Sequence, residues 1–194
     1  CIVEPGIVLD ELNRFLKPYG LWFPVDVSTS SRATIGGMAG NNSCGGRSIR
    51  YGMMRDNVID IEAILYDGSI YNFGKIKSNH DNSSKSSGYE IIKKLQELAE
   101  TNKEEIISKF PKVLRRVGGY NIDALLPDAM ANRPNGKVGD GINLSHLLVG
   151  SEGTLAYSTA ITLKLSPLPS KKIMGSVISH HFMKPWMQLN ILFP

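Results

Sequence analysis

Apolar residues recur at helical spacing near the start of the chain. Val8, Leu9, Leu12, Phe15 and Leu16 follow Pro5-Gly6 and precede Pro18 and Gly20, a pattern that predicts a short amphipathic helix with one face on a core. From Leu21 to Gly52 no periodic element is expected. The period then changes at Val58-Ile59-Asp60-Ile61-Glu62-Ala63-Ile64-Leu65-Tyr66, whose β-branched content predicts a strand. Asp67-Gly68 before Ser69-Ile70-Tyr71-Asn72-Phe73 predicts a hairpin closed by a type I′ turn. The polar run over 75–88 reads as a surface loop. Ile91, Ile92, Leu95, Leu98, Ala99, Ile106 and Ile107 predict one helix from about Tyr89 to Phe110, stopped by Pro111.

A short helical turn is expected around Ile122, Leu125 and Leu126, then a polar loop over 128–141, another helical turn over 143–148 and a strand over 155–165. The hairpin of 58–73 and the strand of 155–165 are expected to join one sheet, with the 89–110 helix packed on it. The expected class is therefore α+β, a mixed or antiparallel sheet with flanking helices. Cys1 to Gly6 reads as the end of a strand, and 171–194 carries His180, His181, Pro185 and Trp186 in no clear period. The expected organisation is one partial domain over 1–169, with 170–194 beginning a further region, both ends lying inside a longer sequence.

Composition narrows the classes. The 194 residues are 42% hydrophobic and 21% charged, enough for a packed core in one domain. The formal net charge of +4 is spread along the chain, which suits an anionic ligand but is too diffuse for nucleic acid. Cys1 and Cys44 are the only cysteines and form no CxxC pair, so neither a disulfide framework nor a metal centre is indicated, and a cytoplasmic setting is expected. No apolar run approaches the roughly 20 residues that span a bilayer.

Two segments carry candidate chemistry. From Pro24 to Gly52 the chain reads PVDVSTSSRATIGGMAGNNSCGGRSIRYG. Glycine at this density is entropically costly, and side chains there are not expected to fill a core, so the backbone itself is a candidate contact surface. Consecutive N–H groups of such a segment can hold phosphate or the polar edge of a flat ring; an ordinary glycine-rich surface loop is the alternative. Gly36-Gly37 lacks the GxGxxG spacing of a Rossmann turn, and no Lys-Ser or Lys-Thr pair follows as in a phosphate-binding loop. The second segment, LLVGSEGTLAYSTAITLKLSPLP from Leu147 to Pro169, enters a strand through a tight Gly-Ser-Glu-Gly-Thr turn, with Thr159, Ile161 and Leu163 expected on one face. Glu152 could orient a ribose hydroxyl or a backbone amide, or cap the turn.

PVDVSTSSRATIGGMAGNNSCGGRSIRYG, VIDIEAILYDG and NLSHLLVGSEGTLAYSTAITLKLSPLP together resemble the PCMH-type FAD-binding domain of the vanillyl-alcohol oxidase and p-cresol methylhydroxylase superfamily. Within it they resemble the D-lactate, glycolate and D-2-hydroxyglutarate dehydrogenase branch, including large bacterial members fused to an iron–sulfur domain. The motifs come in the family's order over residues 1–169, and their combination is what makes them specific. The resemblance implies mainly the second subdomain of that fold, with FAD as cofactor. The first segment would lie along the pyrophosphate and flavin ring, and the Gly-Ser-Glu-Gly-Thr turn at adenosine-side or ribityl atoms. Carried over by position, it implicates Asp26, Ser28, Thr34, Ile35, Gly36, Gly37, Asn41, Asn42, Ser43, Gly45 and Gly52, then Glu152, Gly153, Thr154 and Ile161.

In the complete enzyme so implied, a base removes the hydroxyl proton of a 2-hydroxyacid while its α-carbon gives a hydride to flavin N5, leaving a 2-oxoacid. A small 2-hydroxyacid substrate and an iron–sulfur electron-transfer partner, or missing regions of the same protein, are the implied partners. The family's upstream pyrophosphate loop, substrate domain and downstream histidine motif are not in this sequence. No catalytic residue is assigned, and no metal: His80 and His146 read as surface or structural groups, and His180-His181 lack the i, i+4 spacing of a helical metal pair. Arg50, Arg115 and Arg116 could grip a carboxylate bidentately, with solvated surface arginine the alternative. A remnant that folds without cofactor, and a binding module for another nucleotide, remain competing readings.

The expected behaviour of the 194-residue chain alone follows. A pyrophosphate loop would add several charge-assisted hydrogen bonds of about 1.5–3 kcal/mol each, so lacking three weakens binding by about 4.5 kcal/mol or more, over roughly a thousandfold. Titrating FAD into this chain and following flavin fluorescence should show a dissociation constant above micromolar. A value well below that would mean that the residues named above suffice.

Overall fold

The computed structural model describes residues 1–76, 87–113, 115–126 and 142–170. Of the sequence-predicted features, most of the 75–88 loop, the 128–141 loop and the region after 170 lie outside them. Two sheets organise the rest. β1 (Ile2–Val3), β5 (Tyr157–Leu163), β3 (Val58–Ile64) and β4 (Ile70–Phe73) form an antiparallel sheet in the order β1-β5-β3-β4, and β2 (Leu21–Trp22) pairs with β6 (Ser166–Pro167). The hairpin and the 155–165 strand thus share one sheet, as the period of 2 implied. Seven α-helices flank the sheets among the described residues: α1 (Leu9–Leu16), α2 (Ile35–Gly40), α3 (Ser48–Tyr51), α4 (Met54–Asn57), α5 (Ser87–Thr101), α6 (Lys103–Lys109) and α7 (Ser145–Leu148).

α1 forms where its period predicts, and Leu9, Leu12 and Leu16 are buried. Phe15, expected on the same face, is 67% exposed and stacks on Tyr19, because i, i+3, i+7 is the stripe that meets the core and i+6 falls beside it. No side chain caps the helix; instead Leu9 and Asp10 N–H donate to the Ala33 and Ser30 carbonyls at 3.0 and 3.2 Å. The 30–34 loop therefore satisfies donors a helix start leaves open.

Three differences from expectation have local causes. In the hairpin only Gly68 has positive φ, at 82°, while Gly68 N–H bonds Leu65 O and Leu65 N–H bonds Ser69 O. This is a three-residue loop with a bulge at glycine rather than a two-residue type I′ turn. The helix expected over 89–110 is split at Asn102, whose backbone leaves the helical region at φ −105°, ψ 18°, with its side chain bonded back to Leu98 O; asparagine competes with the helix in this way. β5 and β3 are bulged. Ile59 is skipped in the pairing and its carbonyl accepts from Asn143 Nδ2 at 2.9 Å, and skipped Thr159 turns to the Glu62 carboxylate at 2.7 Å instead of joining Ile161 and Leu163 in the core.

α7 lies on β3, and α5 and α6 pack on the 3-10 turn Ile122–Leu125. That turn, with Leu126, and Ala99 and Ile106 extend the core toward the sheet. Among the described residues no helix is long and apolar enough to cross a membrane.

α2 sits against the chain before α1. A Cβ at Gly36 would lie 2.5 Å from Pro5 Cβ and 3.0 Å from its carbonyl oxygen. Gly36→Ala should therefore lower stability by about 1–3 kcal/mol through overpacking. An unchanged urea midpoint would contradict this contact.

Candidate functional site

The glycine-dense segment is more ordered than its composition suggested. It holds the short helices α2 and α3, and Ile35, Met38 and Ala39 are buried in the core. Glycine lets α2 approach Pro5 on one side and the 150–153 turn on the other, so the backbone is close-packed against protein over part of its length. Thr34 caps α2 through its hydroxyl, which accepts from Gly37 N–H at 3.3 Å. Ile35 and Gly36 N–H donate to the Ile7 and Pro5 carbonyls at 2.9 and 2.8 Å. The amides at the start of α2, expected to face a ligand, are thus engaged within the protein.

At its other end α2 meets the second motif. Gly150 N–H donates to Ala39 O at 2.9 Å and Glu152 N–H to Gly40 O at 3.0 Å. Asn41 Nδ2 donates to Glu152 Oε1 at 3.0 Å. Two segments more than a hundred residues apart thus become one surface. Gly150, Glu152 and Gly153 all take positive φ, at 91°, 53° and 73°, which a glycine-rich turn permits and which Glu152 adopts under these three bonds. On the outside lie Gly37, Asn41, Glu152, Gly153 and Thr154, all exposed, with Ser43 half-buried beside them. At Gly153 nothing lies within 4 Å of where a Cβ would be, and at Gly37 only the Thr34 hydroxyl does. The fit to a large flat, polar ligand therefore rests on bare backbone, the neutral side chains of Asn41, Ser43 and Thr154, and the Glu152 carboxylate.

Other predicted residues hold that surface from behind. Asp26 accepts from Arg47 N–H at 3.2 Å, and a Cβ at Gly45 would fall 2.3 Å from its carboxylate. Gly52 is buried, at φ 78°, against Asp56. Asn42 is buried, accepting from Arg55 N–H at 3.0 Å and donating to Arg116 O at 3.1 Å. Ile35 and Ile161 are fully buried, Ile161 opposite Val3 and Ile61 in the sheet, so both side chains face the core and not the shared surface. Ser28 is exposed on the 25–30 loop. That loop lines a groove of about 890 Å³ with Asn13, Arg14, Trp22 and Arg47, which shares only Asp26 with the predicted set.

Sequence reading missed the segment that braces the junction. Asn121 is 1% exposed; its Oδ1 accepts from Arg55 Nη1 at 3.0 Å and Arg116 Nη2 at 2.9 Å, and its Nδ2 donates to Val149 O at 2.7 Å. Arg116 also pairs with Asp123 at 2.6 Å and lies over the Phe110 ring. Burial lowers the pKa of both guanidiniums, with Asp56 opposing the effect at Arg55; both stay charged at any ordinary pH. Arg116 is therefore structural rather than a solvated or substrate-binding arginine. Arg115 donates to Cys44 Sγ at 3.0 and 3.2 Å, and Arg50 lies over the Tyr51 ring. The signal in the sequence was the Gly118-Gly119-Tyr120-Asn121 run. Among the described residues no cluster of His, Cys, Asp and Glu is arranged for a metal, and both cysteines are free.

Residues 1–74 match the family model described as FAD binding domain. The chain is 34% identical over 170 residues to D-2-hydroxyglutarate dehydrogenase of Pantoea ananatis, covering 86% of this chain and 16% of that protein. It is 32% identical over 193 residues to the Pseudomonas putida D-2-hydroxyglutarate dehydrogenase, covering 98% and 18%. It is 30% identical to a probable mitochondrial D-lactate dehydrogenase of Danio rerio, covering 88% and 23%. A solved alkyldihydroxyacetonephosphate synthase aligns with TM-score 0.48 and 18% identity over 88% of this chain and 20% of that one. Over residues 1–74 the chain is therefore similar to FAD-binding-domain sequence. Over most of its length it is similar to D-2-hydroxyglutarate and D-lactate dehydrogenases, and it spans under a fifth of the D-2-hydroxyglutarate dehydrogenases just named.

Asn121→Ala should cost about 2–4 kcal/mol, because two buried guanidinium groups lose an acceptor and the Val149 carbonyl loses a donor. Chemical denaturation measures it, and a loss under about 0.5 kcal/mol would contradict the bracing role.

Proposed function

We infer that this chain is part of the FAD-holding frame of an FAD-linked dehydrogenase that oxidises a 2-hydroxyacid to a 2-oxoacid. The junction of α2 with the 150–154 turn carries the reading, because it gathers Gly37, Asn41, Glu152, Gly153 and Thr154 on one exposed face. The names of the relatives support the substrate class. Gly37 and Gly153 would admit the cofactor to the backbone, and Asn41, Ser43, Glu152 and Thr154 would meet its polar atoms. When bound, FAD supplies a two-electron acceptor for the substrate's hydride. The part of this chain is to position it and hold polar groups against it without reorganisation. Asp26, Gly45, Gly52, Asn42 and the capping Thr34 keep that face in shape. The substrate-binding groups, the catalytic base and an iron–sulfur or other electron acceptor belong to regions beyond this chain, and the two free thiols suit a reducing, cytoplasmic setting.

A second reading, a folded segment that holds no cofactor, is favoured by one observation: Ile35, Gly36 and Gly37 spend their amides on protein acceptors. The visible absorbance of the purified full-length gene product separates the two, since bound oxidised flavin is yellow. For the first reading, Gly37→Val is the decisive variant. A side chain there meets only the Thr34 hydroxyl, at 3.2 Å, so folding stability should change by no more than about 1 kcal/mol. Flavin retention should be lost because the branched side chain takes the cofactor's space. Unchanged flavin content would remove α2 from the site.

A further inference from the structure

Tyr120 stands on the candidate surface although no motif brought it there. Its hydroxyl lies 2.8 Å from Thr154 Oγ1. Thr154 Oγ1 itself donates to Ser151 O at 2.6 Å, so its one hydrogen is used and the phenol must be the donor between them. The tyrosine oxygen keeps its lone pairs, and the residue is 47% exposed. Around it the backbone is bare: nothing lies within 4 Å of a Cβ built at Gly118, Gly119 or Gly153. An aromatic ring beside bare glycine backbone, tethered by its own hydroxyl to the 150–154 turn, is an open stacking platform.

The brace beneath it fixes position as well as stability. Asn121, the next residue, is fixed by Arg55, Arg116 and the Val149 carbonyl, and Gly119 reaches φ 76° to turn the chain into it. Burying two guanidiniums to hold a loop whose tyrosine stays half in water adds little packing. Such buried ionic networks are often replaceable by apolar residues without loss of stability. What they fix here is where Tyr120 stands over Thr154.

We propose that Tyr120 is a cofactor-contacting residue whose ring stacks on a flat ring of FAD. This rests on the FAD reading above. The test compares the full-length gene product with Tyr120→Ala, Tyr120→Phe and, as control, Tyr66→Ala, a fully exposed residue on the hairpin turn. FAD dissociation constants, flavin emission and thermal melting are read for each. Tyr120→Ala should weaken FAD binding by about tenfold or more, the scale of losing one aromatic stack. Tyr120→Phe and Tyr66→Ala should stay within about threefold, and all melting temperatures should hold. Brighter bound-flavin emission in Tyr120→Ala places the stack on the isoalloxazine; weakened binding without brightening places it on the adenine. Wild-type affinity in Tyr120→Ala overturns the proposal alone, and equal losses in the Ala and Phe variants overturn stacking by the ring. Failure of the wild type to bind FAD takes down the FAD reading and this proposal with it.

Discussion

α2 is six residues long and half glycine, too short and too flexible to persist in isolation. It exists because both of its open ends are closed by distant backbone: the Pro5 and Ile7 carbonyls take its first amides, and the Gly150 and Glu152 amides take the carbonyls of Ala39 and Gly40. A helix end buried without partners would be costly, so these few bonds decide whether the glycine-rich segment is a scaffold or a loose loop. The outward face of the junction follows from them, since the same bonds set the positive φ angles of the turn and aim Glu152 at Asn41.

Behind the junction the interior is polar where a core would ordinarily be apolar. Asn42, Arg55, Asn121 and Asp123 are all buried, and Arg116 completes the network with contacts to Asn121, Asp123 and Phe110. Each loop of the candidate site ends on this network: the 41–45 segment through Asn42, the 115–121 segment through Arg116 and Asn121, and the 149–154 turn through the Val149 carbonyl. Hydrogen bonds fix direction as well as distance, which apolar packing does less sharply. The sheet supplies the floor, with Ile61 and Ile161 facing each other at its centre.

Long, strongly periodic elements were legible in the sequence: α1, the 58–73 hairpin and the strand at Ile161 have repeats of several residues that leave one physical solution. The candidate surface was legible as two motifs whose union came from the resemblance; nothing in spacing alone says that Glu152 meets Asn41. Short helices such as α2 and α4 were not readable, because four to six residues hold no full apolar repeat and glycine argues against helix. The bulges at Ile59 and Thr159 were invisible for a related reason, since a one-residue slip is chosen by partners such as Asn143 and Glu62 across the fold. Ile161 and Asn42, implicated by position, turned out to serve the core and the network.

The proposed function puts a ligand at the junction of α2 with the 150–154 turn. Amide hydrogen exchange of the full-length gene product, with and without FAD, tests it most directly, because it reads each backbone segment separately. Exchange should slow on FAD addition over 37–46, 118–121 and 150–154, with the outer hairpin strand β4 unchanged. FAD binding that leaves all three segments exchanging at their original rates would contradict it.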